Sequence, residues 1–290
     1  MIITYLVFGN DHSNYCQAFF SILTFLPQKM DNDKIVIVTD SPVQFNFAKH
    51  KVTIITINQE TLNKWKGNYN LFFRIKIKSI QLVSEKFKDE HILYLDSDTF
   101  LFGNLTKIRY HLDRNQNLMH INEGKISEAS SKTQKVMWNK LKNKKYSGIE
   151  INSNTCMWNA GCIGISKANT FLVDKVLEIC DLMCSNNVRK GLIEQFSFSI
   201  VLDNCSKLLP VEKIIGHYWG NKEAWNKEIL KLISSFYLND LSYEQQLKKI
   251  KDFNFHKIPV RVKKSSTRSR IEKKLSFIFP DKFKDYITKS

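Results

Sequence analysis

"HILYLDSDTFLFGNL", residues 91–105, decides how the rest of the chain is read. The apolar residues Ile92 to Leu95 run without alternation into Asp96-Ser97-Asp98, and a second apolar run follows at once. An unbroken apolar run suits a strand buried on both faces, as in a parallel sheet covered by helices. In such sheets ligands bind beyond the carboxyl ends of the strands. In extended chain, side chains two apart point the same way, so Asp96 and Asp98 are expected on one side. Adjacent carboxylates repel each other, and a divalent cation removes that penalty. Hard oxygen ligands favour Mg²⁺ or Mn²⁺, with coordination completed by water and substrate phosphates. The stretch therefore predicts a metal–diphosphate site and a substrate related to a nucleoside diphosphate.

Working outward, residues 2–8, 34–39 and 52–57 read as three earlier strands, with 91–95 as the fourth. Residues 10–15 read as a polar turn, followed by a helix over 16–26 that Pro27 stops. A second helix is expected over 71–87, where Phe72, Ile75, Ile77, Ile80 and Val83 recur. Residues 123–156 are polar and irregular, with one short helix, and read as an excursion over the functional face. Residues 157–166 return to strand and tight turn, followed by helices over 169–184 and 191–202 and a strand over 207–210. Two more helices are expected over 227–236 and 243–252. Strands alternating with helices predict an α/β sheet with parallel strands at its centre.

The bulk properties bound the class. A chain of 290 residues, 43% hydrophobic and 12% aromatic, can bury a sizeable core and is not a disordered composition. Its six cysteines form no C-x-x-C pair, which predicts buried thiols in a reduced, cytoplasmic protein; Cys180 and Cys184 share a helix face and read as inert. The opening MIITYLVFGN has no basic leader and too short an apolar stretch for a signal peptide. No run approaches the roughly 20 apolar residues of a membrane span. The net charge is +16 and uneven: residues 244–290 hold 14 Lys and Arg against 5 Asp and Glu.

The Asp-x-Asp stretch resembles the DxD motif of GT-A fold glycosyltransferases, and the order of other motifs resembles glycosyltransferase family 8, whose members are retaining and use nucleotide-sugar donors. Asn14-Tyr15 is similar to the "NY" that packs on the nucleotide base. "FFRIKI" (72–77) resembles "YARLKL", whose arginine faces the donor, which carries Arg74 over. "WNAGCIGIS" (158–166) resembles "FNAGVLLI", whose Asn-Ala-Gly turn contacts the donor sugar; this carries over Asn159, Ala160 and Gly161. Glu194-Gln195 stands where the family has Asp-Gln beside the anomeric carbon. "HYWGNKEAW" (217–225) resembles HxxGxxKPW, with His217 as third metal ligand, Gly220 admitting the phosphates and Lys222 on the diphosphate. Lys222 stands one position closer to Gly220 than in the family, Pro is absent before Trp225, and Glu replaces Asp at 194.

The resemblance covers residues 1–225. It implies a GT-A domain over residues 1–226, a Rossmann-like and mainly parallel mixed sheet with flanking helices, followed by a basic, aromatic helical region over 227–290. It implies Asp96, Asp98 and His217 around Mn²⁺ or Mg²⁺, with Ser97 beside the nucleotide. Transfer of a sugar, with UDP the expected nucleotide, to a saccharide or glycolipid acceptor of a bacterial surface glycan is the implied activity. Basic residues interleaved with Phe277, Ile278, Phe279, Phe283 and Tyr286 suit an anionic membrane surface on its inner, cytoplasmic side. No recognisable motif supports nucleic-acid binding.

Two other readings stay open. A nucleotidyltransferase also sets carboxylates at strand ends around Mg²⁺, though "FGNDHSNY" (8–15) is not the glycine- and basic-rich loop such an enzyme carries after its first strand. A non-catalytic nucleotide-sugar binding module keeps the same fold; nucleotide-sugar hydrolysis without acceptor separates it from an enzyme.

Overall fold

The computed structural model describes residues 1–48, 50–262 and, further on, 271, 274, 275 and 278. The chain opens with β1 (Ile2–Val7) and α1 (His12–Phe25), then β2 (Lys34–Thr39) and β3 (Thr53–Thr56). Helix α1 starts earlier than expected because the Asp11 side chain accepts from the Ser13 N–H, an N-cap that turns the expected polar turn into the first helical residues. Helices α2 (Gln59–Trp65) and α3 (Arg74–Lys86) lead to β4 (Ile92–Leu95) and β5 (Thr99–Leu101). After α4 (Leu105–Leu112) come β6 (Leu118–Met119) and β7 (Asn122–Lys125).

The stretch expected to be irregular is more ordered than its polarity suggested. It holds α5 (Lys132–Leu141) and a hairpin of β8 (Lys144–Tyr146) and β9 (Ile149–Ile151). Its apolar side chains Ile126, Met137, Leu141, Tyr146, Ile149 and Ile151 are buried, which is enough to fasten it, while Val136 stays exposed. Strands β10 (Cys156–Trp158) and β11 (Cys162–Ile165) follow, then α6 (Leu172–Ser185), α7 (Ile193–Cys205), β12 (Leu209–Pro210) and β13 (Ile215–His217). Helices α8 (Lys222–Leu238) and α9 (Tyr243–Lys251) come last.

The main sheet has seven strands in the order β12-β6-β11-β4-β1-β2-β3. Pairs β1–β2, β1–β4, β2–β3 and β6–β12 are parallel, and β11 is antiparallel to β4 and β6. The sheet is thus mixed and mainly parallel. Successive residues of each central strand feed opposite cores. Ile2, Val36 and Ile92 pack with α3, α6 and α7, whereas Ile3, Ile35 and Leu93 pack with α1, α4 and α8. That two-sided burial is why the strands read as unbroken apolar runs.

A second, two-stranded ribbon pairs β5 with β13 in antiparallel register, His217 opposite Thr99. Gly216 faces the Phe100 ring, and a Cβ there would lie 2.2 Å from Phe100 Cζ. Behind the ribbon the aromatic rings of Phe100, Tyr218, Trp225 and Phe255 stack, with Trp225 4.7 Å from Phe100 and 4.8 Å from Tyr218 between ring centres. Trp225 sits on α8, and Phe20 on α1 packs against it, so α8 belongs to the body that carries the sheet. The boundary expected after residue 226 falls inside this helix. The basic tail beyond residue 262 lies outside the described residues, apart from the four positions named above. Among the described residues no helix is long and apolar enough to cross a membrane.

Candidate active site

Chain geometry at the end of β4 sets the two carboxylates. The Asp96 N–H donates to the Gly161 carbonyl at 2.9 Å, and β5 begins at Thr99, so Asp96-Ser97-Asp98 is a tight link between sheet and ribbon. The register of β5 with β13 then delivers His217, and the Tyr218 N–H donates to the Asp98 carbonyl at 3.1 Å. Ligand atoms of Asp96, Asp98 and His217 all lie within 4.8 Å of one another. The Ser97 hydroxyl donates to Gln17 Oε1 at 3.1 Å, and the Gln17 amide donates to Asn226 at 2.8 Å, tying the link to α1 and α8.

The hydrogen bonds around His217 suit it to a metal. Asn159 Oδ1 accepts from the Gly161 N–H at 3.0 Å and lies 2.9 Å from His217 Nδ1. An amide oxygen only accepts, so Nδ1 carries the proton and, in the neutral ring, Nε2 presents its lone pair towards Asp98, 3.4 Å away. A hydrogen-bond partner on the other ring nitrogen, fixing the tautomer, is the usual support of a ligating histidine. Gly161 makes room for this: a Cβ there would lie 2.1 Å from His217 Nδ1. Two carboxylates and one oriented imidazole form a donor set that fits a divalent cation.

Each carboxylate also has its own lysine. Asp98, 3% exposed, lies 2.9 Å from Lys222 Nζ. Burial alone would raise its carboxyl, but a His217 ring protonated on both nitrogens, together with Lys222, outweighs burial and holds it well below the usual carboxylate range; a cation bound between them would take the place of the Nε2 proton. Asp96 lies 3.0 Å from Lys76 Nζ, and the Tyr94 hydroxyl donates to it at 3.1 Å. Lys76 also reaches the Ala160 carbonyl at 3.2 Å and stands 3.4 Å from Glu194 Oε1. Burial works against the charge of Lys76, yet Asp96 and Glu194 hold its pKa above the ordinary lysine range. Glu194, 5% exposed in the first turn of α7, is pushed up by burial and by Asp96 and pulled back by Lys76, to about 7.

A third group gathers at the β10–β11 turn. The Glu123 carboxylate on β7 accepts from Asn159 Nδ2 at 3.2 Å, from Gln195 Nε2 at 3.2 Å and from Gln134 Nε2 at 3.4 Å. It therefore fixes the amide orientation of both Asn159 and Gln195. The Asn159-Ala160-Gly161 turn, Glu194, Gln195 and the Asp96-Asp98-His217 cluster are thus linked through direct contacts.

Other expected residues lie elsewhere or differently. Arg74 does not face the carboxylates: it pairs with Asp181 at 2.8 and 3.0 Å and donates to the Trp65 carbonyl. Positions two apart on a helix point about 200° apart, so Arg74 and Lys76 cannot both face the site, and Lys76 holds that place. Gly220 is closed over by Arg261, whose Cγ would lie 2.8 Å from a Cβ there, so its cleared space takes Arg261 instead of a phosphate in this conformation. Tyr15 is 6% exposed; its hydroxyl donates to the Gly9 carbonyl at 2.8 Å and lies 3.2 Å from Asp40 Oδ1. Asn14 is half-buried beside it in α1, at the carboxyl end of β1.

Lys76, Glu123, Tyr94 and Gln17 were missed from the sequence. Lys76 had a signal: it shares the helical stripe of Ile80 and Val83, both buried, and a lysine on an apolar stripe needs a partner. Glu123 had none, since it lies in a polar stretch and acts through residues far away in sequence.

No protein-family model matches the chain, and no curated protein matches it. Solved structures do. The galactosyltransferase LgtC, in complex with donor and acceptor sugar analogues, superposes over 81% of this chain and 96% of its own with a TM-score of 0.51 at 14% identity. An active-site mutant of LgtC gives the same values, TM-score 0.51 at 14% identity. Mouse xyloside xylosyltransferase 1 in its apo form covers 73% of this chain and 85% of its own, with a TM-score of 0.49 at 13% identity. At such identities it is the fold that is shared, and the fold of this chain is the GT-A fold of glycosyltransferases.

Proposed function

We propose that the protein is a metal-dependent glycosyltransferase that moves a sugar from a nucleotide-diphosphate donor to a saccharide acceptor. The observation that carries this is the convergence of Asp96, Asp98 and His217 at the carboxyl end of β4 in a GT-A fold. These three would hold Mn²⁺ or Mg²⁺, which when bound supplies Lewis-acid neutralisation of a leaving diphosphate. Lys222, exposed over 47% of its side chain and already on Asp98, is free to transfer its charge to a diphosphate. Lys76 fixes Asp96 and the Ala160 carbonyl, so it sets both the metal side and the sugar side. Asn159, Ala160 and Gly161 would line the sugar, with Glu194 and Gln195 flanking its anomeric carbon, where positive charge grows as the bond breaks. Asn14, Tyr15 and Ser97 would sit towards the nucleotide, Gly220 towards the phosphates once Arg261 moves aside.

The finer reading is a UDP donor, retention of anomeric configuration, and a bacterial surface glycan as acceptor. A cytoplasmic enzyme whose basic tail rests on an anionic membrane would suit an acceptor carried on lipid. Exposed apolar side chains at Ile271, Leu275 and Ile278, spaced four and three apart, support a membrane-facing stripe. Flotation with anionic liposomes tests it, and binding unchanged by deletion of residues 263–290 would remove it.

The activity is tested by hydrolysis of UDP-, GDP- and CMP-sugars with Mn²⁺ and no acceptor. One donor class is expected to be turned over by the wild type and not by Asp98→Ala. Near-normal turnover by Asp98→Ala with metal present ends the proposal.

A further inference from the structure

The chain after α9 folds back over the start of α8. The Pro259 carbonyl accepts from Asn221 Nδ2 at 2.8 Å and from Trp225 Nε1 at 3.3 Å, and the Val262 N–H donates to the Gly220 carbonyl at 3.4 Å. Gly220 and Arg261 face each other as a parallel bridge. Arg261 therefore comes to the turn that joins His217, at the end of β13, to Lys222, at the start of α8. Its stem fills the space that Gly220 leaves, since a Cβ there would lie 2.8 Å from Arg261 Cγ. Its guanidinium lies over the Trp219 ring, 5.0 Å from the centre, and among the described residues it has no carboxylate partner. Both side chains are exposed, Trp219 at 44%, so the stack is a weak hold.

Charge in the proposed site is short by a cation without it. A divalent ion would match Asp96 and Asp98, with His217 neutral as its third ligand. Lys76 stands between Asp96 and Glu194. Lys222 is left for the donor, and it starts on Asp98 at 2.9 Å. A nucleotide-diphosphate sugar brings a negative charge on each phosphate, and breaking its sugar–phosphate bond adds another. Lys222 alone does not match that charge, and the shortfall is greatest once the bond has broken. Contacts that strengthen as charge develops are the ones that speed a reaction. Arg261 stands against Gly220, two residues from Lys222, and a guanidinium grips phosphate oxygens with a fork of N–H donors.

We propose that Arg261 is a ligand of the donor's diphosphate, its guanidinium turning from Trp219 onto the phosphates while the backbone bridge to Gly220 holds. The inference deepens the glycosyltransferase reading and rests on it. Trp219 is then the resting place of the guanidinium when no donor is bound, and the segment after α9 becomes part of the donor site.

The test is isothermal titration calorimetry of UDP, GDP and CDP into the full chain with Mn²⁺, on wild type, Arg261→Met, Arg261→Lys and Trp219→Leu. Wild type is expected to bind at least one of these nucleotides. Arg261→Met should weaken that nucleotide about tenfold or more, the loss of one hydrogen bond to a charged group. Arg261→Lys keeps the charge without the fork and should fall in between. Trp219→Leu removes only the resting place and should bind within a few-fold of wild type. Because both side chains are exposed, the variants are expected to keep the wild-type Tm without nucleotide. Affinity unmoved by Arg261→Met overturns the proposal, and so does tighter binding, which would make Arg261 an obstacle. Equal losses in Arg261→Met and Trp219→Leu also overturn it, by showing that the stack merely fastens the segment. Binding of no nucleotide by the wild type would remove the donor reading and this inference with it, whereas wild-type binding untouched by Arg261→Met counts against this inference alone.

Discussion

Strand β1 finds β2 after a single helix and β4 after two more, whereas β5 at residues 99–101 waits for β13 at residues 215–217. The parallel sheet is held by neighbouring βα units and by apolar side chains on both faces, so many residues share the work. The ribbon is three residues long on each side, and its register rests on a few contacts: Gly216 under Phe100, Gly161 against His217, Asn159 on His217 Nδ1. Yet the ribbon carries His217, the histidine proposed to hold the metal. The sheet supplies a rigid edge, and the ribbon, closed late in the chain, completes the site on it.

Breaking the ribbon while sparing the sheet gives the largest effect. Gly161→Ala puts a Cβ 2.1 Å from His217 Nδ1 and must displace that ring. Mn²⁺ affinity is expected to fall roughly 10–100-fold or more, as when the groups that orient a ligand are lost, with the circular-dichroism spectrum kept. Unchanged Mn²⁺ binding would show that the histidine is not a ligand.

A finer cut compares two cations on one helix. Lys76→Met strips Asp96 and Glu194 of their shared counter-charge, and donor turnover is expected to fall by roughly 10–100-fold. Arg74→Met removes a half-exposed pair with Asp181 and should leave turnover within a few-fold of wild type. Steady-state kinetics on the two variants decides it, and a reversed order would restore Arg74 to the donor.

The smallest effect is a pH slope. Glu194 is raised in the folded chain from 4.5 to about 7, so between those values the folded state holds a proton that the unfolded state has lost. Its contribution to stability is therefore complete below pH 4.5 and is lost as pH rises through about 7. Glu194→Gln should flatten the fall in Tm between pH 5 and 7 measured by calorimetry. An unaltered profile would mean that Glu194 is ionised throughout.

The sheet was legible because its strands are buried on both faces and carry that fact as apolar runs; residues 34–39 match β2 without adjustment. The Asp-x-Asp turn was legible for the same reason, standing where such a run stops. The start of α1 was not, because Asp11 caps the helix through one side-chain bond that no periodicity reports. Residues 123–156 misled because six buried apolar side chains suffice to order a mostly polar segment. Arg74 was carried by resemblance alone, while the helical stripe through Ile80 and Val83 pointed to Lys76. Glu123 was invisible: its role depends on Asn159 and Gln195 arriving from two other elements.

On the proposed reading, Asp96, Asp98 and His217 grip one divalent cation. The most direct test of this reading is titration of Mn²⁺ followed by electron paramagnetic resonance, with and without UDP, on wild type and Asp98→Ala. One bound Mn²⁺ per wild-type chain is expected, tightened by UDP, and neither the ion nor the tightening in Asp98→Ala. Equal Mn²⁺ binding by both proteins would contradict it.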